Sequence, residues 1–129
     1  MKLALIVVDV QNDFCPGGAL AVSEGDVVIP IINALMQSAY FDLIVATQDW
    51  HPANHSSFAS QHGKQIGEMI ELNGAPQVLW PDHCVESTPG AGLVENLDQS
   101  RIARIFQKGQ KRHVDSYSGF FENLSLIHI

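Results

Sequence analysis

An α/β fold with a parallel sheet is predicted by three stretches of the sequence. Leu3 to Val8 is an unbroken apolar run, the pattern of a strand buried on both faces. Val27, Val28, Ile31, Ile32, Leu35 and Met36 recur at helical spacing. Phe41 to Thr47, with its apolar centre Leu43 to Ala46, reads as a second buried strand. Strand, helix and strand in this order make a βαβ unit, which requires a parallel sheet.

Each element has its own punctuation. The first strand ends at Asp9, and Cys15-Pro16-Gly17-Gly18 marks a loop. The run Met1 to Val8 carries one basic residue and stops at Asp9. It is too short for the apolar region of a secretory signal, so a strand is the better reading. Asp26 is a predicted N-cap for the helix, and Pro30 falls in its first turn, where proline is tolerated. A long irregular stretch, roughly His51 to Gly92, follows the second strand. It carries Pro52, Pro76, Pro81 and Pro89 with His51, His55, His62 and His83. Loops of that length in compact domains are functional or disordered, and Phe58 and Trp80 argue against disorder. Gly92 to Leu97 is predicted as a short helix and Arg104 to Gln107 as a third strand, ending at Lys108-Gly109. Ser116 to Phe121 is a loop with paired aromatics.

Composition narrows the function. At 129 residues the chain is one domain, and 46% hydrophobic residues suffice for a core. A formal charge of −7 with 7 basic residues argues against nucleic acid and anionic membrane surfaces as partners. Two cysteines, Cys15 and Cys84, make no disulfide framework, so a reducing, cytoplasmic setting is expected.

Ligands of open α/β sheets bind beyond the carboxyl ends of the strands. There the three strands deliver Asp9, Asp49 with His51, and Lys108. Asp49 and His51 are two apart, so in extended chain they point the same way. With His83, from Trp80-Pro81-Asp82-His83-Cys84, they would form a two-histidine, one-carboxylate metal set with open positions. His55 and His62 are rival ligands, and His55 could instead orient a ligand from behind. His113 and His128 read as surface residues. Asp9 is a candidate general base and Lys108 its cation, although a capping aspartate and an exposed lysine are the plain alternatives. Phe14, Trp80 and Tyr117 could wall an aromatic pocket or simply pack the core. Cys84 beside His83, and Cys15 before Pro16, are weak nucleophile candidates, because adjacent residues in extended chain point apart.

Taken together, Val7 to Leu20, Thr47 to His55, Trp80 to Cys84, Lys108-Gly109 and Asp115 to Phe121 resemble the nicotinamidases, within the isochorismatase-like cysteine hydrolases. The likeness runs to about Asn123. It implies a three-layer α/β/α, Rossmann-like parallel sheet and deamidation of nicotinamide to nicotinate and ammonia in NAD salvage. It places the catalytic aspartate and lysine on Asp9 and Lys108. It places the metal ligands on Asp49, His51 and His83, with zinc, iron or manganese as the metal. It places Phe14 and Trp80 against the pyridine ring and Tyr117 at a pocket wall. The implied partner is nicotinamide or a related small aromatic amide, and a homo-oligomer is left open.

The family's nucleophile is a cysteine late in the chain, where backbone amides also form the oxyanion hole. Cys15 and Cys84 match other family positions, and 124–129 do not continue the family pattern. The sequence therefore predicts an N-terminal portion of the domain, inactive alone, whose first strand presents an apolar edge prone to self-association. The other readings are a metal- or ligand-binding module without turnover, and a hydrolase using water activated at Asp49, His51 and His83.

Overall fold

The computed structural model describes residues 1–120. Three parallel strands, β1 (Ala4–Val8), β2 (Leu43–Asp49) and β5 (Arg104–Lys108), form a sheet in the order β1-β2-β5. Val8 pairs with Thr47, and Asp49 pairs with Lys108. This register brings the carboxyl ends of all three strands to one edge of the sheet. β2 starts and ends two residues later than its predicted span, so Asp49 is its last residue rather than the first residue of a loop.

One helix, α1 (Val28–Gln37), lies against the sheet. Its buried side chains are Ile29 and Met36, packed with Val7, Ile44 and Ala46; Ile32 is partly buried beside them. The expected apolar face is corrected in part. Val28, Ile31 and Leu35 point to solvent, because this helix is apolar on more than one side and only one side meets the sheet. Asp26 is not the helix cap either. It lies in a 3-10 turn, Gly25–Val27, through which the chain enters α1, and the helix start has no side-chain cap. Pro30 sits in the first turn as predicted. Asn33 fixes the outer side of α1 by donating to the Asn96 carbonyl (2.8 Å) and accepting from the Asp98 amide (2.8 Å).

Gly92 to Leu97 is not a helix. It is a turn closed by the Leu97 amide on the Val94 carbonyl, and Leu93, Val94 and Leu97 complete the core without regular structure. The irregular stretch also contains a hairpin, β3 (Met69–Leu72) and β4 (Ala75–Val78), joined by Asn73-Gly74. Both turn residues have positive φ (53° and 76°), the requirement of a tight two-residue hairpin turn.

Burial of the sheet is one-sided among the described residues. Val7 is 3% exposed on the α1 side, whereas Ile6 (40%) and Val8 (58%) are open on the other. An unbroken apolar run predicts cover on both faces, and α1 covers one. β1 is also an edge strand of this sheet. No helix among the described residues is long and apolar enough to cross a membrane.

Candidate active site

The site grows from the strand ends. Directly after β1 the chain turns through Asp9 at φ 51°, a left-handed conformation unusual for aspartate. Its amide still reaches the Thr47 carbonyl (3.2 Å), so β1 remains tied to β2 up to the turn. The Asp9 carboxylate accepts from the Thr47 hydroxyl (2.7 Å) and from Lys108 Nζ (2.9 Å). Lys108 is buried, and its ammonium also contacts Asp49 Oδ1 and the Ser116 carbonyl (3.0 Å). The exposed-lysine alternative is therefore wrong. Burial pulls the Lys108 pKa down, but the carboxylates of Asp49 and Asp9 outweigh it and hold the ammonium above its ordinary value. One buried cation thus joins two carboxylates from two different strands.

Asp49 is held by Gln11, which donates to its carbonyl (2.8 Å) and accepts from its amide (2.8 Å). Burial pushes the Asp49 carboxyl up to about 6, against the opposing pull of Lys108. Its second oxygen, Oδ2, faces His51 Nε2 at 3.7 Å. His51 follows β2 after one residue and makes a parallel bridge with Val85: the His51 amide donates to the Cys84 carbonyl (2.9 Å), and the Glu86 amide to the His51 carbonyl (2.8 Å). That bridge carries His83 to the metal-ligand set. One ligand atom from each of Asp49, His51 and His83 falls within 4.8 Å of the others.

Backbone carbonyls fix both imidazoles. His51 Nδ1 hydrogen-bonds the Gly109 carbonyl (2.8 Å), and His83 Nδ1 the Pro81 carbonyl (2.7 Å). A ring nitrogen that donates to a carbonyl leaves the other nitrogen as a lone-pair donor. Burial lowers His51 to about 4 and pushes His83 down as well, so both are neutral near pH 7. Phe58, fully buried, stands 5.7 Å from the His51 ring and 5.4 Å from the His83 ring and dries the back of the cluster. The donor set, its tautomers and its burial fit a divalent metal with open coordination positions.

The rival histidines lie outside that set. His55 is buried with both nitrogens engaged, Nδ1 on Ser57 Oγ (2.7 Å) and Nε2 on the Val114 carbonyl (3.0 Å). Its ring lies 4.3 Å from that of His51 and packs behind it. His62 binds the Ser56 carbonyl, and His113 is exposed as expected. His128 lies outside the described residues, as does Phe121.

Asp9, Asp49, His83 and Lys108 line a cavity of about 240 Å³ with Phe14, Trp80 and Tyr117 in its wall. The Tyr117 hydroxyl accepts from Trp80 Nε1 (3.1 Å) and Gln77 Nε2 (3.1 Å), which joins two aromatic walls through one oxygen. Neither cysteine lines this cavity. Both thiols are buried, and burial raises the pKa of each.

Sequence reasoning assigned no role to several residues that build the site. Gln11 aligns Asp49. Asp13 accepts from the Cys84 amide (2.7 Å), which adopts φ 46°. Gly109 has φ 67°, and a Cβ there would lie 2.6 Å from His51 Nδ1. Gln77 donates to Asp115 Oδ2 (2.9 Å), and Asp115 Oδ1 accepts from the Ser116 amide (3.0 Å). The Lys108-Gly109 pair at a strand end was a usable signal for Gly109. Gln77 and Asp115 had none, because their meeting depends on the hairpin.

The isochorismatase domain matches residues 3–125, and the chain belongs to this family. The relatives it resembles within the family are nicotinamidases. The nicotinamidase of Acinetobacter baylyi is 57% identical over 120 residues, covering 92% of this chain and 55% of that protein. The yeast nicotinamidase bound to the inhibitor nicotinaldehyde superposes with a TM-score of 0.91 at 38% identity, covering 99% of this chain and 66% of that one. The Pyrococcus horikoshii pyrazinamidase in complex with zinc superposes with a TM-score of 0.68 at 43% identity, covering 91% and 57%. The chain spans about half the length of the curated relatives it matches.

Proposed function

We propose that this chain carries the base, the metal ligands and the ring-binding walls of a cytoplasmic nicotinamidase, which cleaves nicotinamide to nicotinate and ammonia in NAD salvage. The observation that carries the reading is the meeting of Asp9, Lys108 and Asp49 with His51 and His83 beside one aromatic-walled cavity. Asp49, His51 and His83 would hold zinc, iron or manganese. The bound ion would supply a Lewis acid for the pyridine nitrogen.

Phe14 and Trp80 flank the ring, and Tyr117 closes one wall. Asp9 accepts the proton of the attacking thiol as sulfur bonds to the carboxamide carbon. The nitrogen leaves as ammonia, carrying a proton from Asp9. Asp9 then takes a proton from the water that cleaves the thioester, giving nicotinate and the free thiol. Lys108 holds Asp9 in place. The thiol belongs to a cysteine other than Cys15 and Cys84, since both are buried away from the cavity with raised pKa values.

The 129 residues alone therefore bind without turnover. The test is ammonia release from nicotinamide by the purified chain supplied with zinc, iron or manganese. The expected result is metal and nicotinamide binding with no release. Metal-dependent release at an enzymatic rate would place the chemistry on one of these cysteines or on a metal-activated water.

A further inference from the structure

Ser116 presents a polar atom that the fold does not use. The residue is 2% exposed, yet its Oγ has no hydrogen-bond partner among the described residues. Its main chain is fully engaged: the amide donates to Asp115 Oδ1, and the carbonyl accepts from Lys108 Nζ. Buried hydroxyls are nearly always paired, so an unpaired one asks for a ligand. Ser116 also lines the cavity that Asp9, Lys108 and Trp80 line. Its link to Lys108 sets it at the Asp9 end of the cavity, where a carboxamide must sit to meet the base. The Asp9 carboxylate is already shared between Thr47 and Lys108. A carboxamide brings two N–H donors and a carbonyl acceptor, and a rotating hydroxyl can serve either.

We infer that Ser116 Oγ hydrogen-bonds the carboxamide of the substrate and so helps the site select an amide-bearing pyridine over a bare one. The inference rests on the nicotinamidase reading and deepens it. The Asp115–Gln77 pair makes the assignment specific, because it pins the Ser116 amide while Lys108 holds the carbonyl. The hydroxyl is thus held in place before a ligand arrives.

Calorimetric titration of the zinc-loaded chain with nicotinamide and with 3-methylpyridine, for wild type and Ser116→Ala, tests this. The variant should bind nicotinamide roughly three- to tenfold more weakly, the equivalent of one hydrogen bond, and 3-methylpyridine unchanged. The melting temperature of the ligand-free variant should hold or rise, because a buried unpaired hydroxyl is unfavourable. Equal nicotinamide affinity in both proteins would overturn the inference. So would equal weakening of both ligands or a melting temperature lowered by several degrees, since either marks a packing role. Failure of the wild type to bind either pyridine would instead overturn the substrate reading, and this inference with it.

Discussion

The two faces of the sheet and its carboxyl edge are built to different standards. At the edge, Asp9, Asp49, His51, His83 and Lys108 are all paired, and all but Asp9 are buried. On the face away from α1, Ile6, Val8 and Phe106 lie 40–58% exposed around a groove that Phe120 also lines. The polar cluster is thus more completely assembled than the apolar scaffold behind it. The reason is local: hydrogen bonds from residues near each strand end, Thr47 and Lys108 among them, hold the site, whereas the apolar side chains of the open face have no cover among the described residues.

If that contrast is right, the largest effect should come from Lys108. Lys108→Met leaves Asp9 and Asp49 without their shared cation, and removing one partner of a buried pair costs about 3–5 kcal/mol. Urea unfolding of the chelator-treated variant reads it. Ile29→Ala, on the covered face, should cost about 2–4 kcal/mol, whereas Val8→Thr on the open face should stay within about 0.5 kcal/mol. Equal losses at both positions would erase the contrast.

Gly109→Ala should weaken metal binding by about ten- to a hundredfold, because its Cβ would push His51 from the carbonyl that sets its tautomer. A competition titration with a chromophoric chelator measures this.

pH gives the smallest and most graded effect. Asp49, raised to about 6 by burial, binds its proton in competition with metal, so metal affinity should hold above about pH 7 and fall below about 6. In the metal-free chain its raised pKa favours the fold below the ordinary 3.8, and that contribution is lost as pH rises through about 6. The imidazoles act oppositely. His51, lowered to about 4, contributes stability above its ordinary 6.5 that is lost as pH falls through about 4, and His55 and His83 shift the same way. Three lowered imidazoles oppose one raised carboxyl, so metal-free stability should fall on acidification below about pH 6.5. Urea midpoints across pH 4 to 7 check the sign.

The sequence showed the site better than the scaffold. Strand-end residues are legible because a parallel sheet sends every carboxyl end to one edge, and this brought Asp9, Asp49, His51 and Lys108 together before any coordinates. His83 required the 51–85 bridge, and only its motif pointed there. The open face was illegible, since an apolar run states what a strand can bury and not what covers it. The same limit misassigned the face of α1, where Ile29 rather than Ile31 meets the sheet. The β3–β4 hairpin carried a clear signal in Asn73-Gly74, masked by Pro76 and by the polarity around it. The irregular core segment Leu93 to Leu97 has apolar residues at near-helical spacing, and only its contacts distinguish it from a helix.

A metal half of the site that assembles within this chain alone should hold one ion. The most direct test is metal stoichiometry by elemental analysis, after zinc loading and gel filtration, for wild type and for His83→Ala. One tightly held ion per wild-type chain and loss of that ion in the variant are the expected results. A wild-type chain that retains no metal, or a His83→Ala chain that retains it equally, would contradict that assembly.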